Sequence, residues 1–306
     1  MSFNATESAF EGFRLARRAP LAILAWAAAY VIFFAVFFAV AGGSLINVVT
    51  LAEQLQQSAE PSMEEMATIM RAYGALMFLA LPLSMLFSAV LSTGVARAVI
   101  RPEDGRFGYL RLGLDELRIL AAMLAVGLLM LGVTAGGMGV AGVLGGLAAE
   151  TSAPVLILPA VLVGLATVGV SIWLAVRLSL VVPISFAERK IALKESWVMT
   201  KGRFWPLLGM AVLAGVMSML VGLLGSIVIA PLNLIFGGLE SLAGAETTNI
   251  ATLLVKFWPA LLVWGVVNAL LSAAQAAIIY APFSACLLYT SPSPRDLSTS
   301  RMPSSA

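Results

Sequence analysis

Residues 177–205 read RLSLVVPISFAERKIALKESWVMTKGRFW and hold the densest run of positive charge in the chain, set between two long apolar segments. Arg177 and Ser179 lie near the end of an apolar run that begins at Pro154, and Pro183 disfavours an undisturbed helix, so one span ends here. From Glu188 to Gly202 the pattern fits a short helix: Lys190, Lys194, Trp197 and Lys201 fall on one face, with Ala192, Ser196 and Thr200 as small residues on a neighbouring one. Such a helix lies in the membrane interface, its aromatic ring at headgroup depth and its lysines reaching water or lipid phosphate. Phe204, Trp205 and Pro206 then open the next span, with the proline in the first turn, where its missing N–H is not needed.

Composition places this stretch in a membrane. Hydrophobic residues make up 60% of the chain and charged ones 11%, with mean hydropathy +0.99, against about 45–50% and about 25% in soluble domains. The apolar runs are continuous and far longer than the roughly ten-residue alternating strands of an outer-membrane barrel. The expected fold is therefore all-α: a polytopic membrane protein of about six transmembrane helices in three hairpins, each hairpin preceded by a short cytoplasmic interfacial amphipathic helix. Residues 1–285 form one transmembrane domain in this reading.

The first unit has an amphipathic lead-in over 1–19, with Phe10 and Phe13 on one side and Arg14, Arg17 and Arg18 ahead of a span from Pro20 to Ala41. Ala39-Val40-Ala41 and Arg17-Arg18 are formal signal-peptide features, but the apolar run exceeds the roughly 7–15 residues of a signal core. Residues 44–71 are polar and acidic. Ser62 and Glu65 have capping-box spacing, and Met63, Met66 and Met70 form a stripe read as packing. A second span runs from about Ala72 to Val95, and Pro102-Glu103-Asp104-Gly105 reads as a turn. The following FGYLRLGLDELR is expected to be another interfacial segment. In the third run, Ile119 to Ala149, Gly132, Gly136, Gly139 and Gly146 form a stripe with two readings, close helix packing or a re-entrant break.

Arg177 lies about 35 Å along its helix from Pro154 at ~1.5 Å per residue, near the boundary of a hydrocarbon core about 30 Å thick. It can snorkel to the interface, bind a lipid phosphate or pair with Glu188. The fifth run, Pro206 to Gly238, is expected to kink or stop near Pro231 and Asn233, ahead of an outer loop carrying Glu240 and Glu246. In the sixth run, Pro259 to about Ala281, Asn268, Ser272 and Gln275 form an intramembrane polar stripe, read either as helix-to-helix hydrogen bonding or as a hydrated path. From Cys286 onward the chain resembles translated sequencing adapter: CLLYTSPSPRD and SRMPSSA both match adapter reading frames. Residues 286–306 are therefore expected to be a non-native, disordered tail, with the native C-terminal sequence missing.

The residues Arg177-x-Ser179-Leu180-x-x-Pro183, Glu188 and Ala192-Leu193-x-x-Ser196-Trp197-x-x-Thr200-x-Gly202-x-Phe204-Trp205 resemble the signature of bacterial multispanning families related to the membrane domain of glycerophosphodiester phosphodiesterases. The resemblance covers about a tenth of the chain in detail and implies a bacterial inner-membrane location. The chain departs from the two-domain enzymes in having no soluble phosphodiesterase domain and no histidine, so the enzymatic activity is not carried over.

Charge orients the spans. Of the 18 basic residues, Arg295 and Arg301 belong to the tail; three precede the first span, five (Arg97, Arg101, Arg106, Arg111, Arg118) join the second and third, and six (Arg177, Arg189, Lys190, Lys194, Lys201, Arg203) join the fourth and fifth. Only Arg71 and Lys256 fall on the other side. By the positive-inside rule both termini are cytoplasmic. Without histidine, no His-based acid–base catalysis, triad or His-ligated metal site can be built, and no P-loop or nucleophile elbow occurs. No enzyme, cofactor, metal or nucleic-acid partner is expected. The expected role is non-catalytic: Arg177, Lys190, Lys194, Trp197, Lys201 and Arg203 hold anionic lipid headgroups, or the basic helices dock a membrane partner or a second copy. The alternative is a passive pore or transporter for a small amphiphile, lined by Asn268, Ser272 and Gln275.

Overall fold

The apolar runs become helices longer than a bilayer is thick. The computed structural model describes residues 5–57, 62–151, 153–236 and 250–290, and is all-helical over them. Six of its helices are long and apolar enough to cross a membrane. The helices are α1 (Ala5–Ala9), α2 (Glu11–Arg18), α3 (Pro20–Gln57), α4 (Met63–Ile100), α5 (Leu114–Glu150), α6 (Ile157–Leu178), α7 (Val181–Glu188), α8 (Leu193–Met199), α9 (Phe204–Phe236) and α10 (Ile250–Thr290). Chain neighbours pack together, α3 on α4, α5 on α6 and α9 on α10.

The last helix, α10, sits against α1, α2, α3, α4, α7 and α9. Small residues allow this. Ala269, Ala273, Ala277 and Ala281 recur every four residues and are all 0% exposed. They bring the α10 backbone close to α3, where Ala22, Trp26 and Ala27 complete the cluster. In an apolar solvent helix association rests on such close van der Waals contact, because lipid tails are as apolar as leucine. Gly12 of α2 crosses the same helix so tightly that a Cβ there would stand 2.8 Å from the Ala277 carbonyl oxygen.

Several expectations are corrected. α3 and α4 do not end at the membrane: each runs 38 residues, about 57 Å at ~1.5 Å per residue. The polar segment after Gly43 stays helical because Leu45, Val48 and Leu51 pack on Ala72, Leu76 and Leu79 of the partner helix. The Ser62–Glu65 capping box is formed, with Glu65 N–H donating to Ser62 Oγ at 3.2 Å and Ser62 N–H to Glu65 Oε2 at 2.8 Å. Met63, Met66 and Met70 are exposed; the packing face is Ile69, Ala72 and Leu76, one position out of phase.

α5 is one unbroken helix, so no re-entrant break occurs at the glycines. A Cβ at Gly132, Gly136, Gly139 or Gly146 would meet no atom within 4 Å, so that stripe faces away from the bundle; Gly137 is the one packed tightly on α6, at Thr167. α9 continues through Pro231 to Phe236, while Glu240 and Glu246 lie outside the described residues. The first residues of the expected tail, 286–290, are helical rather than disordered. α10 extends to Thr290, and Cys286 and Leu287 are buried against α1 and α9 residues such as Ala9 and Met210. The physical reason is that Cys-Leu-Leu is apolar and continues the helix's packed face. The disorder expected over 291–306 concerns residues outside those described.

The expected interfacial helix before α5 is absent. Residues 106–109 form a turn in which Phe107, Gly108 and Tyr109 all have positive φ. Gly108 meets α3 there: Trp26 Nε1 donates to its carbonyl at 2.7 Å, and a Cβ would collide with Ala25. The turn is secured by Arg97, whose Nη1 donates to the Tyr109 carbonyl and whose Nη2 contacts Glu116 Oε1 at 2.6 Å, both side chains being 5% exposed. Its guanidinium also lies 5.4 Å from the centroid of the Phe186 ring on α7. One arginine thus ties α4, α5, the turn and α7 together.

Glu116→Leu should leave that guanidinium buried without its counter-charge, costing about 3–5 kcal/mol. Asp115→Asn breaks the half-exposed Asp115–Arg118 pair one residue away and should cost at most ~1 kcal/mol. Thermal unfolding in detergent checks this: a large fall in melting temperature for the first variant and almost none for the second.

Candidate functional site

The basic stretch does not form one helix. α6 stops at Leu178, Ser179 and Leu180 turn the chain, and α7 begins at Val181 with Pro183 inside its first turn. A helix end leaves main-chain carbonyls without intrahelical donors. The Arg177 carbonyl finds one about twenty residues downstream: Ser196 Oγ donates to it at 3.0 Å, and Thr200 Oγ1 lies within reach at 3.2 Å while closer to the Ser196 carbonyl, at 2.8 Å. Ser196, Thr200 and Ala192 are fully buried, which is why that face of α8 consists of small residues.

The Arg177 side chain holds the same junction from the other side. Its guanidinium lies against two indoles, 5.4 Å from the Trp173 ring centroid and 5.1 Å from that of Trp197, and the two rings meet edge to face at 5.1 Å. Trp173 precedes Arg177 by one helical turn, a spacing that brings the two side chains together. Arg177 Nη1 donates to the Trp197 carbonyl at 3.2 Å, and its buried Nε has no hydrogen-bond partner. Each cation–π contact contributes about 0.5–1 kcal/mol when exposed and about 2 when desolvated. Arg177 therefore docks α8 onto α6, and the Glu188 carboxylate pairs with Lys190 instead.

Between α7 and α8 the chain reverses at Arg189, which takes a left-handed φ of 54°. The Ala192 N–H donates to Ser185 Oγ at 3.1 Å and closes the turn. Gly202, with φ +80°, makes the second reversal ahead of α9, a conformation that glycine adopts without penalty. These bends break up the expected lysine face. Lys194 and Trp197 lie on α8, whereas Lys190 precedes it and Lys201 follows it.

The bends also sort the charges. Lys190 Nζ lies 2.7 Å from Glu195 Oε1 and 2.9 Å from Glu188 Oε2. Those two hydrogen bonds, Glu195's first, push the Lys190 pKa above its usual value, and the reciprocal bond from Lys190 holds Glu195 below the usual carboxylate range. Among the described residues, Arg189, Lys194, Lys201 and Arg203 have no carboxylate within ion-pair distance.

Lys194 and Trp197 border an open groove of about 520 Å³. Its walls are Ala125 and Leu129 of α5, Leu178 of α6, and Leu193 and Val198 of α8. The lining is apolar apart from the lysine and the indole. The sequence reading missed Trp173, Ser185 and the α5 wall; only the one-turn spacing of Trp173 from Arg177 was visible beforehand.

The polar stripe on α10 is used within the bundle. Gln275 Nε2 donates to the Ser218 carbonyl of α9 at 3.1 Å, and Asn268 Nδ2 to the Trp264 carbonyl of its own helix at 3.1 Å. Ser272 is half-buried on the same helix. Comparison of the chain with family models, with curated proteins and with solved structures gives no match.

Removing both hydroxyl donors with Ser196→Ala and Thr200→Val should orphan the Arg177 carbonyl and cost about 1–3 kcal/mol, while either change alone should cost ~1 kcal/mol or less because one donor remains. Tryptophan fluorescence checks the docking. The double variant should shift its emission as Trp197 leaves Arg177 and Trp173, and the single variants should not.

Proposed function

We propose that this is a non-catalytic, multi-pass protein of the bacterial inner membrane whose basic segment 189–203 holds anionic lipid headgroups at the cytoplasmic face. The observation that carries the reading is the division of charge in that segment: Lys190 is neutralised by Glu188 and Glu195, whereas Lys194, Lys201 and Arg203 have no carboxylate partner among the described residues. Cations with no carboxylate at ion-pair distance beside the end of an apolar span, with a half-exposed tryptophan among them, complement an anionic membrane surface. Arg177 serves as a positioning residue that docks α8, and Trp197 as both its stacking partner and an interfacial ring.

The orientation rests on charge. Three arginines before α3, the cluster between α4 and α5, and the 189–203 segment all lie at one end of the six long helices' alternation. By the positive-inside rule this charge distribution supports a cytoplasmic N-terminus and cytoplasmic basic connections, in keeping with the resemblance of the 177–205 motif to bacterial multispanning families. The pore reading loses support from its own residues, since Gln275 and Asn268 spend donors on helix carbonyls. A reporter fused after Gly105 or Gly202 should behave as cytoplasmic and one fused near Glu60 as periplasmic; the opposite pattern would overturn the orientation.

The lysines should be unequal. Each free basic residue near an anionic surface contributes about 1 kcal/mol, screened beyond about 8 Å at physiological ionic strength. Lys194→Gln with Lys201→Gln should lower the phosphatidylglycerol and cardiolipin that co-purify with the protein, and Lys190→Gln with Glu195→Gln, which removes the pair without changing the net charge, should leave them unchanged at neutral pH. The Lys190 pair is lost as pH falls through the depressed Glu195 value or rises through the elevated Lys190 value, so it is intact near pH 7. Mass spectrometry of lipids retained at low salt checks this, and unchanged anionic lipid in the double variant would leave the segment a topological role only.

A further inference from the structure

The groove between α5, α6 and α8 combines two features that headgroup attraction alone does not require. Its lining residues are apolar except at one edge, where Lys194 and Trp197 stand together. Its volume of about 520 Å³ falls within the roughly 300–1,000 Å³ of ligand pockets. Leu129 is half-exposed on its wall and Val198 more so, so the groove opens sideways from the bundle rather than into the core. A second wall is the end of α6, one residue from Arg177, and the third is α8, the helix that Arg177 and the Ser196 hydroxyl dock. The groove therefore exists only because α8 is held down on α6.

We infer that this groove seats one acyl chain of an anionic phospholipid whose phosphate is held by Lys194, with the Trp197 ring at the boundary between chain and headgroup. The inference rests on the headgroup reading above and adds a defined seat to it. Charge selects the occupant. Lys194 has no carboxylate partner among the described residues, so a zwitterionic lipid would bring it a cation as well as an anion, whereas an anionic lipid supplies net compensation. A free phosphate would satisfy the lysine and leave the apolar walls unused.

The test uses the full chain in nanodiscs with phosphatidylglycerol carrying a photoreactive diazirine near the end of one acyl chain, and a phosphatidylcholine probe as comparison. Cross-links mapped by mass spectrometry should concentrate on Ala125, Leu129 and Val198 with the anionic probe and be about fivefold weaker with the zwitterionic one, the factor that ~1 kcal/mol for one basic residue represents. Lys194→Gln should abolish that preference. Leu129→Trp, placed on a half-exposed wall and so tolerated by the fold, should fill the groove and remove its labelling while leaving the lipid attraction of Lys201 intact. Equal labelling by both probes, or labelling spread evenly over α5 and α6, would overturn the seat. If Lys194→Gln and Lys201→Gln together still lowered retained anionic lipid, the headgroup reading would survive that failure; if retained lipid did not change either, both would fall.

Discussion

The carbonyl of Arg177 is the constraint around which the basic segment is arranged. A helix that stops near the edge of a membrane exposes acceptors in surroundings where water is scarce, and an unmet buried acceptor costs about 1–3 kcal/mol. Here the acceptor is met by Ser196 from a separate helix, with the Thr200 hydroxyl within reach, so ending α6 and docking α8 are one event. The arginine's own side chain repeats the link by stacking on Trp173 and Trp197. Residues that look like a scattered motif in the chain are thus the donors, acceptor and stacking partners of a single junction.

A second junction, Arg97 with Glu116, performs the matching task at the α4–α5 connection. Both junctions meet on α7: Phe186 lies under the Arg97 and Arg101 guanidinium groups, and Ser185 on the same helix closes the turn into α8. The basic connections are therefore more than topological markers. Some cations are consumed in holding helices together, whereas Arg189, Lys194, Lys201 and Arg203 have no carboxylate within ion-pair distance among the described residues.

Much of this was legible in outline. Six spans follow from the length of the apolar runs, the Ser62 cap from its spacing to Glu65, and the Gln275 contact to a neighbouring helix from a polar residue deep in an apolar run. The glycine stripe of α5 misled because helical spacing of small residues shows only that close approach is possible. Which stripe is used depends on what stands opposite, and here it is the alanines of α10. The lysine face misled for a related reason: periodicity assumes an unbroken helix, and Arg189 and Gly202 reverse the chain on either side of α8.

The amino-acid sequence alone determined that the chain is helical and membrane-embedded, where its spans fall and which connections carry the positive charge. Those properties depend on local composition and length, since any sufficiently long apolar run must satisfy its backbone internally. The tertiary structure alone decided which charges are spent and which remain. Pairing Lys190 with Glu188 and Glu195, setting Arg177 against the Trp197 ring and opening a groove beside Lys194 all depend on distances between separate elements. Those distances are set by the close packing of small side chains and by the donors that a helix end requires.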